Sequence, residues 1–365
     1  MAMERYLSTD VLAEILRRLP PSSRRRARLV CRRWRDVVNE HTTEMQSRPK
    51  VLLWNVNYAV AYVSDDLSST ATTGNSTQIW RTSDPWRHGF KGMQLVGTCN
   101  GLICLCDNTK TKGGAITLFN PTTGEKLDVP PPPGVGYHGR QKWGDAYSFA
   151  YHPITGQYKL VHVPGSYKGV CELDVVYVRT LGEAIWWKVP VGPGNATCNL
   201  AAGIISVDGT TYWVKVTADN TTRIVAFDLM TECATSTTRI PAAHDHYRLT
   251  EVHGRLGFIA WPYVWVREGG QRWTRRYNFK EDIPWPHFVY GEYVLVCKGL
   301  SYYGHRPGVK PLSGWRLLCD NVMRIGHQDE GTLVAKMKRE GRKGYYETFA
   351  YVETTEPLSI YTINH

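Results

Sequence analysis

Residues 7–38 read LSTDVLAEILRRLPPSSRRRARLVCRRWRDVV, and their apolar positions recur with the period of an α-helix. Before Pro20 and Pro21 these positions form one stripe: Val11, Leu12, Ile15, Leu16 and Leu19. The two prolines cannot continue that helix. A second stripe follows with the same period: Ala27, Val30, Cys31, Trp34, Val37 and Val38. The stretch therefore predicts two helices, each with an apolar face.

These two apolar faces need a partner. A segment of about 35 residues buries too little surface to be stable alone. One interpretation is an ordinary N-terminal helical hairpin that packs on the main domain of the same chain. The other is a docking segment whose partner is a separate protein.

The docking interpretation is favoured because the stretch resembles an F-box. In that family a leucine-proline start and an acidic residue precede a leucine-rich helix that closes on Leu-Pro, and a Val-Cys-basic-x-Trp block follows. The matching residues are Leu7, Asp10, Ile15, Leu16, Leu19, Pro20, Val30, Cys31, Arg32 and Trp34. Ser8 stands where the family has a proline, so the resemblance implies weaker docking at that point. It also implies a Skp-family adaptor as partner, bound by Leu7, Ile15, Leu16, Leu19, Pro20, Val30, Cys31 and Trp34.

Basic charge is concentrated at the N-terminus. Residues 1–50 contain 12 Lys and Arg against 6 Asp and Glu, so +6 of the formal net charge of +11 lies there. The arginines at 24, 25, 26 and 28 are compatible with a nuclear-import signal, a nucleic-acid patch or a solvated helix face. We favour contact with an acidic partner, because the same helix carries the F-box motif.

The residues after position 50 favour β-strands. Residues 51–63, VLLWNVNYAVAYV, are rich in β-branched and aromatic residues. A glycine turn and a phenylalanine then recur at one spacing, since 18 residues separate Gly101 from Phe119 and 18 separate Gly209 from Phe227. The Asn-Gly and Asp-Gly pairs at these turns favour tight hairpins because both residue types tolerate positive φ. A recurring hairpin unit predicts a β-propeller, and at roughly 45–50 residues per blade it would have six or seven blades, of which we favour six.

We therefore predict an α+β multidomain chain: a small all-α F-box over residues 1–48 and an all-β, β-propeller domain over residues 49–365. The boundary follows from a polar connection that ends near Arg48. A β-sandwich is the main alternative, although this chain has more predicted strands than a sandwich usually holds. Most tryptophans of the β domain are expected in the blade cores.

Three segments of the β domain are similar to the F-box-associated domain of plant F-box proteins. They are VGTCNGLICL at 96–105, FNPTTGEKLDVPPP at 119–132 and YSFAYHPITGQYKLVHV at 147–163. That family shows the same succession of a Cys-Asn-Gly-Leu strand, an Asn-Pro-x-Thr turn and a Tyr-x-Pro-x-x-x-x-Tyr-Lys-Val strand. The similarity covers residues 95–163 well and fades towards the C-terminus.

Local signatures of catalysis are missing from the sequence, which has no Gly-x-Ser-x-Gly elbow, no phosphate loop and no His-Glu-x-x-His. Cys99, Cys104 and Cys106 lack the paired spacing of a zinc site. We expect no catalytic residues, no metal and no cofactor. Neither a signal peptide nor a membrane-spanning run is predicted, so we expect the nucleus and/or cytoplasm as location.

Together the resemblances imply a non-catalytic substrate-recognition subunit of an SCF-type ubiquitin ligase. The adaptor would connect the chain to cullin and RING subunits, and the β domain would bind an unknown target protein. Two other functions stay open: a propeller enzyme or lectin that acts on a small ligand, and a nucleic-acid-binding protein. The second is disfavoured because the basic charge concentrates in the F-box-like segment.

The target is expected on propeller loops, because loops on a rigid scaffold usually carry recognition. Aromatic and arginine side chains are the common anchors of such interfaces. Two stretches fit, residues 137–143 and residues 261–276, and in the second we predict as anchors Trp265, Arg267, Trp273, Arg275 and Arg276. The alternative is that the aromatic side chains face the blade core and the arginines are solvated.

Overall fold

A computed structural model gives the fold of the chain. It describes residues 7–19, 21–27, 30–41, 50–64, 76–83, 92–111, 113–133, 143–164, 175–192, 196–241, 247–252, 254–260, 262–268, 272–279, 287–290, 293–298, 301–305, 317–318, 322–325, 332–336 and 346–362.

The N-terminal segment forms three helices, α1 (Thr9–Arg18), α2 (Pro21–Ala27) and α3 (Arg32–His41). Two helices were predicted, and the second is divided in the structure. Pro21 is the first residue of α2, a position where its fixed φ suits a helix and its missing N–H costs nothing. Each pair of these helices is in contact, so the segment is a small bundle, which we call the head (residues 7–41).

Strands make up the rest of the described chain. The first half contains β1 (Lys50–Asn55), β2 (Val60–Ser64), β3 (Ser76–Arg81), β4 (Met93–Cys99), β5 (Leu102–Asp107), β6 (Ala115–Phe119), β7 (Lys126–Val129), β8 (Tyr147–His152), β9 (Gln157–His162), β10 (Val175–Thr180), β11 (Trp187–Pro190), β12 (Ala196–Cys198) and β13 (Ile205–Val207). The second half contains β14 (Thr210–Thr217), β15 (Thr222–Asp228), β16 (Cys233–Arg239), β17 (Tyr247–Val252), β18 (Arg255–Ala260), β19 (Tyr263–Arg267), β20 (Trp273–Phe279), β21 (His287–Tyr290), β22 (Tyr293–Lys298), β23 (Ser301–His305), β24 (Leu317–Leu318), β25 (Val322–Ile325), β26 (Thr332–Lys336) and β27 (Tyr346–Tyr351).

The described strands form six sheets, which we number as blades. Their strand orders are β27-β1-β2-β3, β4-β5-β6-β7, β8-β9-β10-β11, β12-β14-β15-β16 with β13 also on β14, β17-β18-β19-β20 extended by β25 and β24, and β21-β22-β23-β26. The repeat length allowed six or seven blades, and six was the number favoured. Pairing within the blades is antiparallel except between β20 and β25.

The innermost strands close a ring. They contact one another in the succession β27, β4, β8, β13, β17, β21 and back to β27. A ring of small antiparallel sheets around a centre is a β-propeller. The fold class predicted from the sequence, a helical head followed by an all-β propeller, is therefore confirmed.

Blade 1 joins the two ends of the β domain, because β27 from the C-terminus pairs with β1 from the N-terminal side. The register runs from Lys50 opposite Tyr351 to Asn55 opposite Tyr346. This pairing satisfies an edge of β1 that would otherwise be open, and it closes the ring by main-chain hydrogen bonds.

The turns predicted from the repeat have the expected backbone. Asn100 and Gly101 have φ of 49° and 85°, and Asp208 and Gly209 have φ of 47° and 74°. These pairs connect the innermost strand to the second strand of blades 2 and 4. Positive φ at both central residues matches the twist of a two-residue hairpin.

A second repeated turn begins with an aromatic residue followed by a capping side chain. Asn120 Oδ1 accepts a hydrogen bond from Thr122 N (2.9 Å), and Asp228 Oδ1 accepts one from Met230 N (2.9 Å). A similar turn joins the first two strands of blade 3, where His152 Nδ1 accepts a hydrogen bond from Thr155 N (3.0 Å). The capping atom sets the turn locally, which explains why Asn, Asp and His can each follow the aromatic residue.

The core consists of apolar layers between neighbouring blades. One layer joins blades 3 and 4 around Trp213 and Phe227, and another joins blades 4 and 5 around Phe258. Trp54 and Trp213 are fully buried, as predicted for most tryptophans, whereas Trp187 is half-exposed.

The C-terminal residues 352–362 run across blades 2 and 3. Asn120 Nδ2 donates to the Glu356 carbonyl (2.8 Å), and Leu358 N donates to Glu125 Oε2 (2.9 Å). Leu358 is buried in the layer between these blades, and Tyr361 packs edge-on against Tyr158. These C-terminal residues, which we call the tail (residues 352–362), therefore hold blades 2 and 3 together.

Candidate functional site

The head has a core of its own. Apolar side chains from all three helices fill it: Leu12, Ala13, Leu16, Ala27, Val37 and Val38, with Leu19 and Trp34 packed against them. The stripe predicted on α1 is thus split, because Leu12 and Leu16 point inwards while Val11 and Ile15 do not. Since the head buries one face of α1 by itself, the other face is available to a partner.

Local interactions hold α1 in place. Ser8 Oγ accepts a hydrogen bond from Val11 N (3.3 Å), so the serine that replaces the family's proline serves as the N-cap of this helix. At the other end, the Leu19 N–H bonds to the Leu16 carbonyl (3.2 Å). Arg24, which is buried, donates to the Arg17 carbonyl (3.0 Å) and ties α2 to α1.

An apolar surface remains uncovered on the head. It consists of Leu7, Val11, Ile15 and Val30, whose exposed fractions are 46%, 47%, 41% and 64%. Val11 and Ile15 are spaced by four residues and lie on one face of α1, and Leu7 immediately precedes Ser8, the N-cap residue of that helix. The Arg33 side chain at the start of α3 donates to the Leu7 carbonyl and so links the start of α3 to the residue before the N-cap of α1. We call these four residues the apolar head surface.

The predicted adaptor contacts separate into three groups. Leu7, Ile15, Val30 and Cys31 are exposed, whereas Leu19 and Trp34 are partly buried against the head core. Leu16 needs correction, because its exposed fraction is 0% and its side chain lies in that core. Pro20 lies outside the described residues.

Val11 was missing from the predicted contacts. Its exposure matches that of Leu7 and Ile15, and its spacing of four from each was visible in the sequence.

The five predicted target-binding residues lie on strands and not in a loop, which corrects the sequence-based placement. Trp265 and Arg267 belong to β19, and Trp273, Arg275 and Arg276 belong to β20. The register places Trp265 opposite Arg275 and Arg267 opposite Trp273, so aromatic and cationic side chains alternate across the pair.

These side chains are largely engaged with the propeller itself. Trp265 and Trp273 are half-buried against the apolar layer between blades 4 and 5, and Trp273 meets Phe258 edge-on at 6.2 Å. The Arg275 guanidinium lies 4.6 Å from the Tyr263 ring and 6.0 Å from the Trp265 ring, within cation–π range.

Arg276 is exposed at this place, and the other four side chains are partly buried. The alternative interpretation, with the aromatic side chains in the blade core, therefore describes Trp265 and Trp273 better.

A cavity of about 260 Å³ lies at the centre of the ring. Five of the innermost strands, β4, β8, β13, β17 and β27, contribute to its wall. Ser148 and Ser206 share a hydrogen bond across the wall (2.8 Å), and Ser206 is also bonded to Thr211 (2.7 Å). The hydroxyl groups of these residues thus bond to one another, without a histidine or carboxylate in the chain of bonds.

Among the described residues, no group of three or more His, Cys, Asp and Glu side chains is placed to bind a metal ion. Within the same part of the chain, no helix is long and apolar enough to cross a membrane.

Burial perturbs several titratable groups of the core. Desolvation lowers the pKa of His162 to about 3, because this side chain is enclosed between Tyr147 and Tyr177. Desolvation also raises the pKa of the Cys104 and Cys106 thiols well above their usual range. These two buried thiols are therefore protonated and unreactive.

Comparison with known proteins gives two family matches. Residues 62–304 match the family model described as "F-box associated beta propeller domain", and residues 6–43 match that of the "F-box domain". The predicted boundary at residue 48 falls between the two matches, and β1 begins at Lys50.

Individual relatives come from Arabidopsis thaliana. F-box protein At2g43440 is 23% identical over 74% of this chain and 66% of its own length, and F-box protein At3g07870 is 29% identical over 43% of this chain and 37% of its own. Putative F-box protein At5g50220 is 25% identical over 82% of this chain and 80% of its own length. The alignments with the first two thus span about two thirds and about a third of those proteins.

Proposed function

Because the chain belongs to the family of F-box proteins with an F-box-associated β-propeller domain, we propose that it is the substrate-recognition subunit of an SCF-type ubiquitin ligase. The head binds a Skp-family adaptor, which connects it to cullin and RING subunits. The propeller binds a target protein. The proposal places the protein in the nucleus and/or cytoplasm.

The observation that carries this proposal is the apolar head surface. The head already has a closed core, and yet Leu7, Val11, Ile15 and Val30 leave large apolar side chains in water. Four exposed apolar side chains within 24 positions are not required for the stability of a solvated helix bundle, and clustered exposed apolar residues are typical of interaction sites. Burying a Val or Ile side chain is worth roughly 1.5–3 kcal/mol, so a few of them suffice to anchor a protein interface.

In this role the chain performs no bond chemistry itself. It holds a target close to a ubiquitin-conjugating enzyme, which raises the effective concentration of the reacting groups. The requirements on the chain are two separate binding surfaces and a rigid body between them. A closed ring of six blades supplies that body.

The test is a binding measurement with a purified Skp-family adaptor and the full chain. The variant Val11→Asp/Ile15→Asp places two charges on the apolar head surface without touching the head core. We expect it to weaken adaptor binding at least tenfold, about 1.4 kcal/mol or more.

The matched control is Ile185→Asp/Met230→Asp, which changes two propeller side chains of similar exposure, 50% and 53%. We expect the control to bind the adaptor like the parent. Melting curves show that both variants are folded. Equal adaptor affinity of the head variant and the parent would contradict the proposal.

A further inference from the structure

Three cations stand side by side across blade 4. Lys215 on β14 is directly opposite Arg223 on β15, and Arg223 is directly opposite Arg239 on β16. Lys215 and Arg223 are half-buried and Arg239 is exposed. We call these three residues the basic stripe. Neighbouring strands lie roughly 5 Å apart, so the three side chains start within about 10 Å of one another.

This arrangement is unfavourable for the isolated chain. Like charges directly opposite on neighbouring strands destabilise a sheet. Within the described residues, none of the three side chains forms an ion pair, a hydrogen bond or a cation–π contact. The described structure therefore provides no counter-ion for these three cations.

The nearest carboxylate along the chain does not neutralise the stripe. Asp219 lies in the turn between β14 and β15, and its Oδ2 accepts a hydrogen bond from Thr221 Oγ1 (2.8 Å). Its Oδ1 accepts from Thr217 Oγ1 and from Thr221 N. Both oxygens are thus engaged within the turn.

The location of the stripe suits a binding surface. All three residues lie near the strand ends opposite the Asp208-Gly209 turn, and β16 is the outermost strand of its blade. On the same face of the sheet, two residues further along the strands, Trp213 and Val225 are buried in the apolar layer that joins blade 4 to blade 3. The cations are therefore presented by a rigid scaffold at an accessible edge.

We infer that the basic stripe binds an acidic segment of the target protein. Two or three carboxylate or phosphate groups within about 10 Å would each meet an uncompensated cation, and charge-assisted hydrogen bonds of this kind are stronger than neutral ones. The inference rests on the proposed function, since it names the chemistry of the target. A peptide is favoured over a nucleic acid because the partly exposed neighbours on the same face of the sheet, Thr217, Thr221 and Thr237, offer no aromatic ring on which bases could stack.

The experiment uses the full chain and a fluorescein-labelled peptide of ten glutamates as probe. Fluorescence anisotropy measures its affinity for the parent and for Lys215→Gln/Arg223→Gln/Arg239→Gln. We expect the triple variant to bind at least tenfold more weakly. The single variant Arg239→Gln, at an exposed position on an outer strand, should bind the peptide roughly threefold more weakly than the parent.

The control variant is Arg255→Gln, which removes an exposed arginine from blade 5 and should leave peptide binding unchanged. The melting temperature supplies a second readout, because removal of like-charge repulsion should leave the triple variant at least as stable as the parent.

Three outcomes would overturn the inference: no binding of the peptide to the parent, equal binding to parent and triple variant, or tighter binding of a ten-nucleotide single-stranded DNA that is lost in the triple variant. Adaptor binding by the triple variant is measured in parallel and should not change. A failure of the stripe is thereby distinguished from a failure of the proposed function.

Discussion

His162 should make the propeller sensitive to acid, because its side chain is buried as the neutral form. It lies on β9 with its ring 4.7 Å from that of Tyr147 and 6.0 Å from that of Tyr177, and burial lowers its pKa to about 3. In the unfolded chain the pKa returns to about 6.5. Between these two pKa values the unfolded state binds a proton that the folded state does not, so stability falls as the pH falls from 6.5 towards 3.

The magnitude follows from the two pKa values. At pH 5 the protonated form of the unfolded histidine exceeds the neutral form about 30-fold. This lowers the free energy of unfolding by RT ln 30, which is about 2 kcal/mol. At pH 7 the same effect lowers the free energy of unfolding by only about 0.2 kcal/mol. The substitution His162→Phe keeps an aromatic ring between the two tyrosines and removes the titration.

Urea unfolding at pH 7 and pH 5, followed by tryptophan fluorescence, gives the free energy of unfolding for both proteins. We expect the parent to lose about 2 kcal/mol more than His162→Phe between the two pH values. Other groups titrate equally in both proteins, so the difference isolates His162. An equal decrease in the free energy of unfolding for the two proteins would refute the conclusion that His162 is buried in its neutral form.

Three further perturbations test individual contacts. Leu16→Ala should cost the head about 2–5 kcal/mol because it opens a cavity in a closed core, whereas Ile15→Ala should cost much less, and chemical unfolding of both variants compares them. Glu232→Gln should destabilise the junction of blades 3 and 4 by about 3 kcal/mol, because it leaves the buried ammonium of Lys159 without its ion-pair partner; an unchanged melting temperature would argue against the pair. Gly101→Ala should cost about 2 kcal/mol or more and loosen the tail, since φ is +85° and an added Cβ would overlap the Val352 carbonyl, and limited proteolysis should then cleave after residue 352 faster than in the parent.

Much of the fold could be predicted from local signals. The Asn-Gly and Asp-Gly turns and the aromatic-plus-cap turns are set by residues next to one another, and their backbone is as expected. The split of the α1 stripe could not be predicted in the same way. Val11, Leu12, Ile15 and Leu16 share one broad face, and only the packing of α2 and α3 determines which side of it is covered.

The spacing of the predicted target-binding residues already indicated strands, although these residues were predicted to lie in a loop. Trp265 and Arg267, like Trp273 and Arg275, are two residues apart, and this spacing places both members of each pair on one face of a strand. The basic stripe left no such signal. Its members are 8 and 16 residues apart, and only the strand register brings Lys215, Arg223 and Arg239 together.

The topology separates the head from the basic stripe. The Arg26 side chain packs so closely on Gly156 that an added Cβ would overlap it, which places α2 against the β8–β9 turn. That turn joins the innermost strand of blade 3 to its second strand, as the Asp208-Gly209 turn does in blade 4. Because the blades share one strand order, both turns lie on the same face of the ring, and the stripe lies at the opposite ends of the strands. A partner on the head and an acidic segment on the stripe therefore do not compete for space, and adaptor affinity should be the same with and without a saturating concentration of the glutamate peptide.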